Sequence, residues 1–264
     1  MTYETIDVSI DARGVAYVAL NRPEKRNALS AQMMDELIEM ANTIGTNDTT
    51  RAVVLSGHGN VFCAGGDLEW MKSQINSDRA TRIAESSRLA NMLYTLNTMP
   101  KPLIGRIHGS AFGGGVGMAC ICDIAIAETG TKFGLTETRL GLIPATIGPY
   151  VIARIGEGFA RRIFMSARVF DTTAAQSYGI IAHHVAKEDM DAAIEAEIEP
   201  YLNVAPNAVG AAKAHARSLG PVIDLDTIKA TVERLADVWE GEEAKHGLDA
   251  FLNKRPARWA KTSD

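Results

Sequence analysis

The sequence predicts an α/β fold in which a core of alternating strands and helices, residues 1–190, precedes a helical region, residues 191–264. Short apolar runs alternate with amphipathic stretches as far as residue 127, and after Lys132 strands become scarce while helical patterns follow one another. A chain of 264 residues with 46% hydrophobic and 22% charged residues is also long enough to bury a sizeable core without disulfides or metals.

The N-terminal part of the chain is typical of a hairpin followed by a β-α-β unit. Residues 4–10 and 15–20 alternate apolar and polar side chains around a turn, which predicts two paired strands with one buried face. Ser30 can cap a helix that runs to about Ile44, because apolar residues then recur on one helical face. Residues 52–55 are wholly apolar and predict a buried strand.

Two glycine-containing segments, residues 62–68 and 108–115, each follow a predicted buried strand and lead into a helix. Glycine allows close approach of the backbone to a ligand, and the first helical turn offers unpaired N–H donors at the positive end of the helix dipole. The alternative is that both segments are only tight turns. Neither matches a P-loop or a complete dinucleotide-binding fingerprint.

The last part of the chain is predicted to be helical. The predicted helices cover residues 149–155, 159–165, 171–178, 189–202, 207–218, 225–239 and 242–254. The helix 225–239 has an apolar stripe formed by Ile228, Val232, Leu235, Ala236 and Trp239. Such a stripe needs a partner, either the core or another subunit, and we expect neighbouring subunits to cover it.

Charge and composition argue against several classes of protein. Lys and Arg total 27 against 32 Asp and Glu, so the net charge of −5 does not favour a nucleic-acid partner. The sequence has neither a secretory leader pattern nor an apolar run long enough to span a membrane. Cys63, Cys120 and Cys122 form no C-x-x-C motif, so we expect a reducing cytoplasm and no metal site.

Four motifs in this order resemble the crotonase, or enoyl-CoA hydratase/isomerase, superfamily. They are NRPEKRNAL at 21–29, FCAGGDL at 62–68, AFGGG with CDIAIA at 111–127, and FGLTETRLGLIP at 133–144, and residues 247–255 resemble the closing helix of the family. The resemblance implies a crotonase-like β-β-α spiral core with a C-terminal helical trimerisation region, as a homotrimer or a hexamer. It also implies an acyl-CoA thioester substrate, in which coenzyme A is part of the substrate and no separate cofactor is needed.

The resemblance also assigns an oxyanion hole. An acyl-CoA thioester becomes an enolate-like anion when a proton leaves Cα or a nucleophile adds at Cβ, so the carbonyl oxygen must be stabilised. By position in the family motifs, the N–H groups of Gly66 and Gly114 would bind that oxygen. Losing one such donor typically costs about 3–4 kcal/mol in the transition state.

Coenzyme A is expected to contact the first two motifs. Lys25 and Arg26 are the candidates for its phosphates, the alternative being ordinary solvated surface charges. The residues expected along the adenine and pantetheine path are Ala28, Ala64, Asp67 and Leu68.

The sequence keeps one of the two glutamates that the family's hydratases use for acid/base chemistry. The first position, three residues after the middle glycine of the triple-glycine motif, is Gly117. The second is Glu137, and the alternative to catalysis there is a structural ion pair with Arg139 or Lys132. Gly117 either frees volume for a branched acyl group or permits close helix packing.

Within the superfamily, the sequence looks most like bacterial hydratases of branched glutaconyl-CoA esters, which implies a place in leucine degradation. The expected reaction is the reversible hydration of a 2-enoyl-CoA such as 3-methylglutaconyl-CoA. A Δ3,Δ2-enoyl-CoA isomerase and a non-catalytic acyl-CoA-binding subunit are the alternatives. Arg139, Arg154 and Arg161 are candidates for binding a terminal carboxylate, while Trp70 and Met71 border the acyl group or pack in the core.

Overall fold

The computed structural model describes residues 2–260. The main sheet contains, in spatial order, β1 (Ile6–Ile10), β2 (Val15–Leu20), β3 (Ala52–Gly57), β4 (Leu103–Ile107), β6 (Ile124–Glu128) and β9 (His183–Val185). A smaller sheet contains β5 (Ser110–Phe112), β7 (Lys132–Gly134) and β8 (Val169–Phe170). Strands β1 and β2 form the predicted antiparallel hairpin, and the other neighbours in the main sheet are parallel.

The helices follow the predicted order closely. They are α1 (Ala31–Gly45), α2 (Leu68–Ile75), α3 (Arg79–Thr98), α4 (Gly114–Ile121), α5 (Gly148–Ser166), α6 (Thr172–Tyr178), α7 (Met190–Leu202), α8 (Pro206–Ser218), α9 (Leu225–Trp239) and α10 (Glu242–Leu252). The predicted cap of α1 is confirmed, because the Ser30 side chain accepts a hydrogen bond from the Met33 amide at 3.2 Å. Helix α5 is interrupted at Gly156, where φ is 73°, between the two segments predicted from the sequence.

The main sheet is covered on both faces. Helix α1 packs on one side, where Leu37 and Met40 join the largest apolar cluster. Helix α7 covers the other side, where Ile194 and Ile198 contact a cluster that includes Val54 of β3. The predicted boundary at residue 190, between the core and the helical region, stays a prediction. Helix α7, which begins at that residue, packs on the main sheet and forms part of the layered core.

The apolar stripe of α9 is buried within its own chain. Ile228 and Val232 pack against Ala90 of α3, while Leu235 and Trp239 join a cluster beside the turn that follows β7. The expectation that neighbouring subunits cover this stripe is therefore wrong, because α9 folds back onto α3 and already removes the stripe from water. The expected trimer or hexamer stays a prediction.

The three cysteines are free and buried, and burial raises the pKa of each thiol to about 12. In residues 2–260 no helix is both long enough and apolar enough to cross a bilayer. The same part of the chain holds no group of three or more His, Cys, Asp or Glu side chains arranged to bind a metal ion.

Candidate active site

The four sequence motifs meet in one place. The segments that lie side by side are residues 26–29, 63–66, 110–113 and 132–134. Isolated β-bridges join Leu29 to Gly66 and Cys63 to Ala111, and β5 pairs with β7. Motifs far apart in the sequence therefore form one continuous extension of the smaller sheet.

The two predicted oxyanion donors lie on adjacent parts of this extension. A Cβ atom built on Gly113, the residue before α4, would lie 3.8 Å from the Cα of Gly65, so the two glycine segments are in contact. Within residues 2–260 neither Gly66 nor Gly114 donates its amide to a hydrogen bond, and Gly114 begins α4. Both amides are thus available to a carbonyl oxygen, the second with the helix dipole behind it.

The two glycines that carry the oxyanion donors differ in their surroundings. A Cβ on Gly114 would lie 2.7 Å from Cδ1 of Leu29, so a side chain there would displace this buried leucine. Gly66 has more room, because a Cβ there would meet only Trp70 and Met71, at 3.7 and 3.9 Å. Trp70 and Met71 therefore border the space beside the first oxyanion donor, and Met71 also packs against the C-terminal helices.

Glu137 begins a short 3-10 turn, Glu137–Leu140, next to the start of α4. Its Oε1 lies 3.1 Å from the position of a Cβ on Gly113, and its Oε2 is shielded from solvent without a hydrogen-bond partner. Burial raises the pKa of this carboxyl to about 7. Within residues 2–260 Glu137 forms no ion pair with Arg139 or Lys132, and Arg139 instead donates to the carbonyl of Ala167 at 2.7 Å.

Gly117 lies one turn into α4, where the first family glutamate is missing. A Cβ there would lie 2.7 Å from Cγ2 of Ile147 and 3.8 Å from Cδ2 of Leu93. A side chain at position 117 would overlap Ile147, which supports close packing as the reason for the glycine, while the freeing of volume for a branched acyl group stays a prediction.

The residues predicted to contact coenzyme A lie near this site with different exposures. Lys25 and Arg26 are exposed, and the Lys25 Nζ lies 3.5 Å from a carboxylate oxygen of Glu69. Ala28 is buried, Ala64 is half-buried, and Leu68 is 49% exposed at the start of α2. We call this exposed segment, which carries Lys25 and Arg26, the entrance side of the site.

Asp67 has a structural role that the sequence did not reveal. Its side chain pairs with Arg22 at 2.9 Å and accepts hydrogen bonds from the amides of Glu69 and Trp70 at the start of α2. Burial works against ionisation, but these hydrogen bonds outweigh it and hold the pKa of the Asp67 carboxyl below its usual range. Asp67 therefore fixes the segment that carries Gly66, and its use as a ligand for coenzyme A stays a prediction.

Two further residues of the first motif hold the site together and were missed. The buried side chain of Asn27 donates to the carbonyls of His58 and Val61, each at 2.8 Å. Arg22 also donates to the carbonyl of Ala28 at 2.7 Å. The partners of Asn27, and Asp67 as a partner of Arg22, lie more than 30 residues further along the chain, so the polarity of the two side chains was the only signal in the sequence.

Two other polar groups have structural contacts. His108 contacts the Gly59 carbonyl at 3.0 Å, and Asp123 accepts from Lys213 and from the Leu103 amide, both at 2.8 Å.

Comparison with known proteins agrees with this geometry. The sequence profile described as Enoyl-CoA hydratase/isomerase matches residues 11–262. A methylglutaconyl-CoA hydratase from mouse mitochondria is 31% identical, and the match covers 94% of this chain and 80% of the relative. The crystal structure of an enoyl-CoA hydratase from Shewanella pealeana is 36% identical, with a TM-score of 0.80, and covers 97% of this chain and 96% of that one.

A second solved structure, an enoyl-CoA hydratase from Mycobacterium avium, has a TM-score of 0.86 at 28% identity and covers 98% of this chain and 100% of that one. The matched family profile and the likeness to these solved structures define a crotonase-type enzyme. The chain belongs to the enoyl-CoA hydratase/isomerase family, and the activity this membership supports is that of an enoyl-CoA hydratase.

Proposed function

We propose that the protein catalyses the reversible syn hydration of a 2-enoyl-CoA, with Glu137 as its single acid/base group. The observation that carries the proposal is the placement of the Glu137 carboxyl beside the N-terminus of α4, with an Oε2 that is shielded from solvent and has no hydrogen-bond partner among residues 2–260. A pKa of about 7 allows this group both to accept and to return a proton at neutral pH.

One carboxylate can complete the reaction in two steps. Ionised Glu137 removes a proton from water as its oxygen bonds to Cβ, and the double-bond electrons move toward the thioester oxygen. The amides of Gly66 and Gly114 stabilise the resulting enolate. The protonated Glu137 then delivers its proton to Cα, which restores the carbonyl and leaves hydrogen and hydroxyl on the same face.

The leading substrate is 3-methylglutaconyl-CoA, with leucine degradation as the metabolic role. The motif resemblance and the relative from mouse mitochondria support this choice. The three arginines considered for the terminal carboxylate do not strengthen it: Arg139 and Arg154 donate to main-chain carbonyls, and Arg161 is exposed beside Glu157. The acyl preference is therefore best measured with a panel of branched and straight-chain enoyl-CoA esters.

A Δ3,Δ2-enoyl-CoA isomerase is the second candidate, favoured by the absence of a second carboxylate at Gly117. Glu137 would then carry a proton from Cα to Cγ without water. Separate assays with crotonyl-CoA and a 3-enoyl-CoA, followed by the absorbance of the conjugated thioester, distinguish the reactions. Loss of absorbance with crotonyl-CoA supports hydration, whereas a gain from the 3-enoyl ester alone supports isomerisation.

Turnover of neither ester, combined with tight binding across a broad acyl panel, would support a non-catalytic acyl-CoA-binding subunit.

We also propose that the enzyme is a homotrimer or a dimer of trimers in the cytoplasm. Light scattering at micromolar concentration tests the assembly, and the mass of a 28.4 kDa monomer would contradict it.

A further inference from the structure

Helix α10, the last helix within residues 2–260, packs against the turn that carries Glu137, and the two backbones are in direct contact. A Cβ built on Gly247, in α10, would lie 2.4 Å from the carbonyl oxygen of Leu140. A Cβ built on Gly141, which ends the turn, would lie 2.4 Å from the carbonyl of Glu243. Because both positions lack a side chain, the backbone of α10 can lie directly against the backbone of the turn.

The contact belongs to a packed interface. Gly247 is buried in the interior of α10, where glycine is normally unfavourable because it adds backbone entropy and contributes no side-chain contacts. Its neighbours Ala244 and Leu248 are 0% and 1% exposed and pack with Leu142, just after the turn. Close approach to the turn is therefore the physical reason for a glycine at this position.

The Glu137 carboxyl depends on its own backbone for orientation. No side chain within residues 2–260 forms a hydrogen bond or an ion pair with the carboxyl group, and Oε2 has no partner of any kind. The backbone of the turn, in contrast, is held from several directions. The Leu142 amide donates to the Glu137 carbonyl at 3.0 Å, and the Trp259 indole donates to the Arg139 carbonyl at 3.3 Å.

From this arrangement we infer that Gly247 is a positioning residue for Glu137, through which α10 fixes the turn that aims the carboxyl at the substrate. The inference rests on the acid/base role proposed for Glu137. A side chain at position 247 would have to push the Leu140 carbonyl away by about 1 Å to reach an ordinary contact distance. Displacements of that size at a catalytic group can reduce turnover by up to about 100-fold.

The test compares Gly247→Ala with Gly158→Ala. Gly158 is an exposed glycine of α5 with no atom within 4 Å of a built Cβ, so it controls for the same substitution in a helix. We expect Gly247→Ala to lower kcat by about 10- to 100-fold with KM changed by less than about threefold. We also expect the lower limb of the pH profile of kcat/KM to move below about 7, because a loosened turn admits water to Glu137.

A folded Gly247→Ala protein with the kcat and pH profile of Gly158→Ala would overturn the inference. If Gly247→Ala does not fold, Trp259→Phe decides, since it removes the hydrogen bond to Arg139 from a 39% exposed side chain but keeps an aromatic ring beside His246 and Arg258. A smaller fall in kcat with the same pH shift supports the inference, and an unchanged profile overturns it. Glu137→Gln measured in parallel separates the failures: full activity in that variant contradicts the proposed function itself.

Discussion

The two sides of the site are built on opposite principles. The acid/base side, formed by Glu137, the start of α4 and Ile147, is closely packed, and Oε2 of Glu137 is shielded from solvent with no hydrogen-bond partner within residues 2–260; we call it the dry side. The entrance side, where Lys25 and Arg26 are exposed, is solvated. In the dry environment electrostatic effects are strong, whereas water and salt weaken those at the entrance. Substitutions on the dry side should therefore change turnover and stability, and those at the entrance should change binding.

The largest effect is expected for Glu137→Gln. Turnover should fall by on the order of 10²–10⁴, the usual contribution of a positioned acid/base group, while folding and CoA-ester binding remain. Steady-state kinetics and calorimetric binding measure the two quantities separately. Turnover close to wild type would show that Glu137 takes no part in the mechanism. It would also contradict the expectation that substitutions on this side of the site change turnover.

The same substitution should stabilise the protein at high pH. The folded state keeps Glu137 protonated up to about pH 7, whereas the unfolded chain ionises it near 4.5, so wild-type stability falls as pH rises between these values. Glu137→Gln should be more stable by up to about 3 kcal/mol above pH 8, with no such gain below pH 4. Urea denaturation across this range is the measurement.

The exposed substitution Glu157→Gln serves as the control for that experiment, since its side chain is 74% exposed. An equal gain in both variants, or a gain for Glu137→Gln that does not depend on pH, would show that the Glu137 carboxyl is not the group that burial perturbs.

A smaller effect is expected where α4 meets Ile147. Gly117→Ala should destabilise the protein by about 1–3 kcal/mol, since its new methyl group overlaps Cγ2 of Ile147. Ile147→Ala removes that atom, so the double variant should be more stable than the sum of the single effects by at least about 1 kcal/mol. Strict additivity in this double-mutant cycle would mean that Ile147 does not fill the space.

The smallest effect belongs to the entrance. The double variant Lys25→Ala with Arg26→Ala should raise KM by about 3- to 10-fold and leave kcat unchanged, because exposed charges contribute roughly 1 kcal/mol or less each. The difference from wild type should shrink at about 0.5 M salt. Lys229→Ala, at a 75% exposed position on α9, is the matched control. If KM is the same in the double variant as in the wild type, Lys25 and Arg26 are ordinary surface charges that do not bind coenzyme A.

Local patterns predicted much of the fold. The β1–β2 hairpin, the Ser30 cap and the long helices follow from periodicity and capping, which depend on neighbouring residues. The strands β5, β7, β8 and β9 were not predicted, because they have only two or three residues each and form through pairing with distant segments.

The site shows the same limit. The motifs predicted the roles of Glu137, Gly66 and Gly114, since the family resemblance is carried by sequence order, and these roles stay predictions. The sequence could not show that Ile147 fills the space beside Gly117 or that Arg22 pairs with Asp67, because both contacts join residues that only the folded chain brings together. The burial of the α9 stripe within its own chain was missed for the same reason.

The contact between Gly247 and Leu140 joins a helix that is synthesised late, α10, to a turn that is synthesised earlier. At the usual rate of translation, about 5–20 residues per second, on the order of 5–20 s separates the synthesis of Glu137 from that of α10. During that interval the nascent chain already contains both oxyanion donors but lacks the helix against which the Glu137 turn rests. If α10 positions the Glu137 turn as we infer, the chain becomes fully active only after α10 has been synthesised and has packed against that turn.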